Sequence, residues 1–241
     1  MKLEIDTHSH TLASGHAYST MKEMAKAGYK HGLKVLALTE HAPQMPGTCG
    51  LFYFQNLNIV PRNLCGIEVL LGTEANIMDV EGHVDLPDSV LSSLDIVIAS
   101  LHMPCFKGNK GIEDNTKACL HAMQNPFINI LGHPDDGRFP LDYEQLVLGA
   151  KQYGVLLEVN NSSLRPNSFR ENAKENVRKM LQLCKKYQVP ITVGSDAHVD
   201  ADAGHMEAAL EVIKACEFPK ELIATTSLER LRPFLNRYKN K

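Results

Sequence analysis

The chain has 241 residues, enough for a large core, and its 44% hydrophobic and 22% charged residues exclude the disordered and fibrous classes. A formal net charge of -3 gives no basic excess to attract nucleic acid or an anionic membrane, so affinity for a phosphate has to be built locally. The opening MKLEIDTHSH places charge and histidine where a secretory signal needs an apolar stretch, and no apolar run approaches a membrane span, so a cytoplasmic protein is expected.

Short apolar runs then alternate with amphipathic stretches. The runs are LEID from residue 3, VLAL from 35, VLLG from 69, IVIAS from 96, INIL from 128, VLLEV from 155 and ITVG from 191. Between them the spacing predicts helices from Ser19 to Tyr29, Glu113 to Met123, Tyr143 to Tyr153, Glu171 to Tyr187 and Met206 to Cys216. Strand and helix alternating along a whole chain argue for an α/β protein with a parallel sheet covered on both faces. The segment from Pro43 to Arg62 is the least regular and reads as a long loop with a short helix. No linker or composition break divides residues 1–241, so a single domain is expected. Six cysteines (Cys49, Cys65, Cys105, Cys119, Cys184, Cys216) form no C-x-x-C pair and read as free thiols.

The residues just after the apolar runs choose between an open sheet and a closed barrel. His8 and His10 follow the first run, His41 the second, Glu74 the third, His102 the fourth, His133 the fifth, and Asp196 and His198 the last. An open sheet gathers ligands at one switch point, whereas a barrel points every carboxyl end toward one axis, so the barrel fits better. The exception is VLLEV, which ends in Asn160-Asn161 with Arg165 close by. In IDTHSHT, strand alternation would put Asp6, His8 and His10 on one face.

Any one of these histidines is more often a hydrogen-bonded surface or core residue than a ligand. Seven of them (His8, His10, His16, His41, His102, His133, His198) follow strand-like runs, while His31, His83, His121 and His205 lie elsewhere and are read as ordinary residues. Buried together with Asp6, Glu74 and Asp196 but without metal, they would need an unusually large hydrogen-bond network. Imidazole and carboxylate suit Zn, with Mn or Fe as alternatives, and nine candidate ligands are too many for one ion. Two or three ions would use them, Glu74 bridging a pair. Asp6 is expected to orient a ligand rather than bind metal itself.

The ordered set D-x-H-x-H, T-E-H, G-x-E, S-x-H, G-H-P and S-D-A-H, from about residue 3 to residue 200, resembles the PHP (polymerase and histidinol phosphatase) superfamily, and within it the stand-alone YcdX-like phosphatase branch. The resemblance implies a distorted (β/α)7 barrel with a cluster, usually of three ions, at the carboxyl ends of the strands. It also implies that His8, His10, Glu74 and Asp196 hold one ion, Glu74, His102 and His133 a second, and His16, His41 and His198 a third.

Such a cluster would activate a water as hydroxide and clamp the oxygens of an in-line displacement at phosphorus, which points to a phosphatase acting on small phosphate monoesters. With no G-x-S-x-G, P-loop or phosphatase-type cysteine motif, the metal-activated hydroxide is the expected nucleophile. Arg165 is the candidate phosphate clamp, with a solvated loop arginine as the alternative. Arg138 and Lys107 are weaker basic candidates, and Cys105 is a minor candidate for a thiolate ligand. Rival readings are a histidinol phosphatase, a metal-dependent amidohydrolase, whose bridging group is usually a modified lysine, and a non-catalytic metal-binding module. Self-association as a homo-oligomer is compatible with the sequence.

Overall fold

The computed structural model describes residues 1–108 and 111–239. Its strands, in chain order, are β1 (Ile5–Asp6), β2 (Val35–His41), β3 (Asn63–Leu64), β4 (Ile67–Asn76), β5 (Ile96–Ser100), β6 (Ile130–Leu131), β7 (Leu156–Asn160) and β8 (Ile191–Gly194). Apart from β3, which forms a short antiparallel hairpin with β4, the strands lie side by side in chain order and every pairing is parallel. Seven parallel strands therefore curl into a nearly closed barrel. β1 and β8 meet just beyond their ends, where Ser9 bridges Ala197, the His10 N–H donates to the Ala197 carbonyl (2.8 Å) and the Asp196 N–H to the His8 carbonyl (2.8 Å).

The helices α1 (Met21–Lys30), α2 (Leu51–Gln55), α3 (Asp88–Leu91), α4 (Ile112–Ala122), α5 (Tyr143–Tyr153), α6 (Ala173–Tyr187) and α7 (Glu207–Ala215) follow, with α8 (Leu228–Leu231) and α9 (Asn236–Lys239) at the end. Local chemistry sets several boundaries. Thr20 and Glu23 close a capping box on α1, and Asp142 caps α5, which ends at Gly154 in the left-handed region (φ 69°). α6 buries Val177, Met180, Leu181 and Cys184, a helical stripe turned to the sheet. The five helices expected from periodicity are present, shifted by two residues or less at each end; α2 supplies the short helix expected in the irregular segment. The terminal turns α8 and α9 carry too little periodicity to be read in advance.

Two apolar layers result. The large one lies between strands and helices. The smaller one fills the barrel itself, with Ile5, Val35, Ala37, Leu70, Ile96, Ile98, Ile130 and Leu156 pointing inward and Ala224, Leu231 and Leu235 plugging the lower end. The chain near residues 223–225 also seals the lower seam, since Ile223 bridges Ile191 and the Thr225 carbonyl accepts from the Glu4 N–H (3.1 Å). With the bottom stoppered by hydrocarbon, the carboxyl ends are the open end of the barrel.

Candidate metal centre

The register of the long strands brings the first ligands together. β2 pairs with β4 so that His41 lies opposite Glu74, and its Nδ1 comes 2.8 Å from Glu74 Oε2. Glu74 is the hub. His8 and His10 place Nε2 at 3.4 and 3.6 Å from the same oxygen, while His102 and His133 place Nε2 at 3.1 and 2.8 Å from Oε1. Asp196 Oδ1 faces His10 at 3.3 Å and His8 at 3.7 Å. At the outer edge the His16 ring stacks on His41 and His198, with centroids 4.8 and 4.9 Å away. All nine candidate ligands thus lie together, eight in the interior or at its edge and His16 on the exposed rim.

The donor atoms are arranged for cations. His8 Nδ1 lies 2.8 Å from Glu158 Oε1, a carboxylate that accepts its proton. His10 Nδ1 donates to Ser14 Oγ (3.2 Å), because that hydroxyl gives its own proton to Glu40 Oε2 (2.6 Å). Both Nε2 lone pairs are then directed across 3.1 Å at each other, and something positive must sit between them, a proton or a metal. Burial would depress the His8 pKa, but Glu158, Glu74 and Asp196 around it hold it well above the usual imidazole value. Burial alone would likewise raise Glu74, yet His102, His8 and His41 hold it well below the usual carboxylate range. His41 Nδ1 and Glu74 Oε2 are buried, face each other, and lack any hydrogen bond, as expected of metal donors. The groups His8-His10-Glu74, His41-Glu74-His102 and His10-His41-His198 each bring their donor atoms within 4.8 Å of one another, so the residues fit metal ions.

Supporting residues fix these donors. His102 Nδ1 donates to Asn76 Oδ1 (2.7 Å), whose amide donates to Asp85 (2.6 Å). His133 and Asp196 adopt positive φ (27° and 54°), strained conformations for residues with a Cβ, as expected where surrounding contacts over-determine a site. Gly194 is required by close approach, since a Cβ there would stand 2.3 Å from Glu158 Oε1 and 2.6 Å from His8 Cβ.

Several expectations are revised. β1 stops at Asp6, and Ile5 points into the barrel, so Asp6 does not share a face with His8 and His10. Its carboxylate instead accepts from the N–H groups of His8 (3.2 Å), Ser195 (2.9 Å) and Gly204 (3.0 Å), tying the ends of β1 and β8 together behind the ligands. The β7 run brings Glu158, which also accepts from the His133 N–H (2.8 Å). Its signal was available, because a lone acid within a strand covered on both faces needs partners. Arg170 gave no such signal: it lies in an irregular stretch, yet its side chain is 7% exposed and donates to Asp196 Oδ2 (2.9 Å), Asn160 (3.0 Å) and Ser163 (3.0 Å). Arg165 does line the cleft above the ligands, with both terminal nitrogens donating to Asp202 (2.7 and 2.6 Å). Arg138 lines it too and pairs with Asp136, whereas Lys107 is exposed. Cys105 Sγ donates to the Gln44 carbonyl (3.4 Å), burial pushes its thiol up to about 11, and it belongs to none of the three donor groups. His31 and His205 contact each other, His83 pairs with Asp79 and His121 bonds the Val80 carbonyl, all apart from the cluster. All six cysteines are free. Among the described residues no helix is long and apolar enough to cross a membrane.

Comparison with known proteins agrees with this geometry. The PHP domain model matches residues 6–240. A probable phosphatase of Thermoanaerobacter sp. (strain X514) is 46% identical over 241 residues, covering 100% of this chain and 98% of that one. A probable phosphatase of Caldicellulosiruptor bescii is 47% identical over 235 residues, covering 98% and 96%. Among solved structures, histidinol phosphate phosphatase from Lactococcus lactis, complexed with zinc, L-histidinol and phosphate, superimposes with a TM-score of 0.61 at 19% identity, covering 90% of this chain and 94% of that one. At that identity the likeness speaks to the fold.

Proposed function

Because the chain belongs to the PHP domain family, we propose that it is a single-domain, metal-dependent phosphatase hydrolysing small phosphate monoesters at a trinuclear centre. Zinc suits the imidazole and carboxylate donors best, with manganese or iron as alternatives. His8, His10, Glu74 and Asp196 would hold one ion, Glu74, His102 and His133 a second, and His16, His41 and His198 a third. The observation that carries this reading is the Glu74 carboxylate, 1% exposed and surrounded at 2.8–3.6 Å by nitrogens of His8, His10, His41, His102 and His133. Such ions supply Lewis acidity that lowers the pKa of water and neutralises charge at phosphorus.

The chain's own residues do the rest. Glu158 and Ser14 hold the Nδ1 protons of His8 and His10, which keeps the Nε2 lone pairs aimed at the centre. Arg170 fixes Asp196 through Oδ2, leaving Oδ1 toward the histidines, and it lines the cleft, where its guanidinium would add positive charge beside a bound phosphate. Arg165 is the second proposed phosphate contact, with its fork shared between substrate and Asp202. The relatives' names favour phosphorus over amide chemistry. The test is to strip the protein with a chelator, restore zinc or manganese, and follow ion stoichiometry beside p-nitrophenyl phosphate turnover. About three bound ions and restored turnover are expected from the donor count. A plateau at two ions or fewer would refute the trinuclear assignment, and a fully loaded protein inert toward phosphate esters would refute the phosphatase.

A further inference from the structure

The cleft above the ligands is larger than a phosphate requires. It encloses about 530 Å³, within the range of roughly 300–1,000 Å³ found for pockets that take whole small molecules. Its inner wall carries His41, His102, Asp196 and His198. Beside three arginines and Asp202, the remainder presents the apolar side chains of Met45, Met103, Pro104 and Phe169. Phe169 is 69% exposed and Met103 43%, a large amount of apolar surface left in water beside a polar centre.

Phe169 is oriented rather than loose. The Arg138 guanidinium lies 4.7 Å from its ring centroid and that of Arg170 5.4 Å. Arg138 is itself held by Asp136 (Nε to Oδ1, 2.9 Å) and Arg170 by Asp196, so the ring is tied to the same arginine that fixes a metal donor. For a phosphoryl group seated at the histidine wall, this cleft is the space open to its alcohol, and the phenyl ring and the two thioethers line it. Aromatic groups gain from offset contact with phenyl rings and from sulfur at their edges, beyond what the buried area supplies.

We propose that this apolar collar receives the leaving group, and that the favoured substrates are phosphate monoesters whose alcohol carries a flat aromatic ring. The inference rests on the phosphatase reading above and narrows it to a substrate class. The arginines of the cleft are each paired with an acid, Arg138 with Asp136, Arg165 with Asp202 and Arg170 with Asp196, so the collar selects by apolar contact rather than by charge.

Equilibrium binding tests the collar without turnover. Benzylphosphonate should bind the metal-loaded protein at least about tenfold more tightly than methylphosphonate. Phe169→Ala should bring the two affinities together, while Phe169→Trp, which keeps a flat ring, should preserve the preference. In turnover, benzyl phosphate should exceed n-propyl phosphate in kcat/KM by a similar factor, carried by KM; the leaving alkoxides are close in basicity, so the ratio reports binding. Equal affinities for the two phosphonates, or a preference that survives Phe169→Ala, would overturn the collar. A phosphonate preference in a protein that hydrolyses no ester would leave the collar standing and remove the phosphatase reading instead.

Discussion

The amino and carboxyl halves of the barrel interior are built on the same strands and are almost equally buried, yet they are held together by opposite means. Below, Ile5, Val35, Leu70, Ile96, Ile130 and Leu156 exclude water and need no specific partner. Above, His8, His10, His41, Glu74, His133 and Asp196 are buried as deeply, at 0–7% exposure. Desolvating those groups is costly, and mutual charge and hydrogen bonds offset it, with bound cations added in the proposed metal centre. The lower half can therefore be changed at the expense of stability alone, whereas the upper half, as the proposed metal centre, would tie stability to occupancy. Each half should fail in its own way.

The largest effect is expected at the hub. Glu74→Gln keeps the volume but removes the charge that faces five imidazoles, so phosphatase activity should fall by at least about 100-fold and metal content should drop, while circular dichroism still reports a folded barrel. Near wild-type turnover would mean that Glu74 is no bridge. The matching change below is Leu70→Ala, a fully buried side chain in the apolar plug. It should cost about 2–5 kcal/mol in denaturant unfolding and leave the ion count per folded chain unchanged. Loss of metal in that variant would show that the two halves are coupled and the contrast drawn too sharply.

Smaller effects probe the layer between them. Glu158→Gln leaves His8 Nδ1 with a weaker partner, and metal affinity should weaken by about 10- to 100-fold at a fixed pH, measured by competition with a chelator of known affinity. Unaltered affinity would reduce Glu158 to packing. The smallest effect is expected for Arg165→Ala, about 1.5 kcal/mol in kcat/KM with no change in metal content, because the guanidinium already divides its charge with Asp202. A rise in KM would place its contact in the bound substrate, and a fall in kcat in the transition state. Unchanged kinetics would leave Arg165 as the partner of Asp202 alone.

The sequence by itself determined the alternation of strands and helices and the placing of one donor group after nearly every strand, because both are local: apolar periodicity marks each element, and a polar residue at the end of a buried strand stands out against it. Glu158 is legible on the same local ground, as a lone acid in a strand covered on both faces that needs partners. Only the tertiary structure decided which donors meet. That His41 lies against Glu74 follows from the register of β2 on β4, and that Asp6 turns away from His8 follows from β1 ending after two residues. Arg170 reaches Asp196 from a segment 26 residues earlier, and Ser14 reaches Glu40 across another 26. Such contacts depend on how the loops fold over the open end of the barrel, which no local pattern of residues encodes.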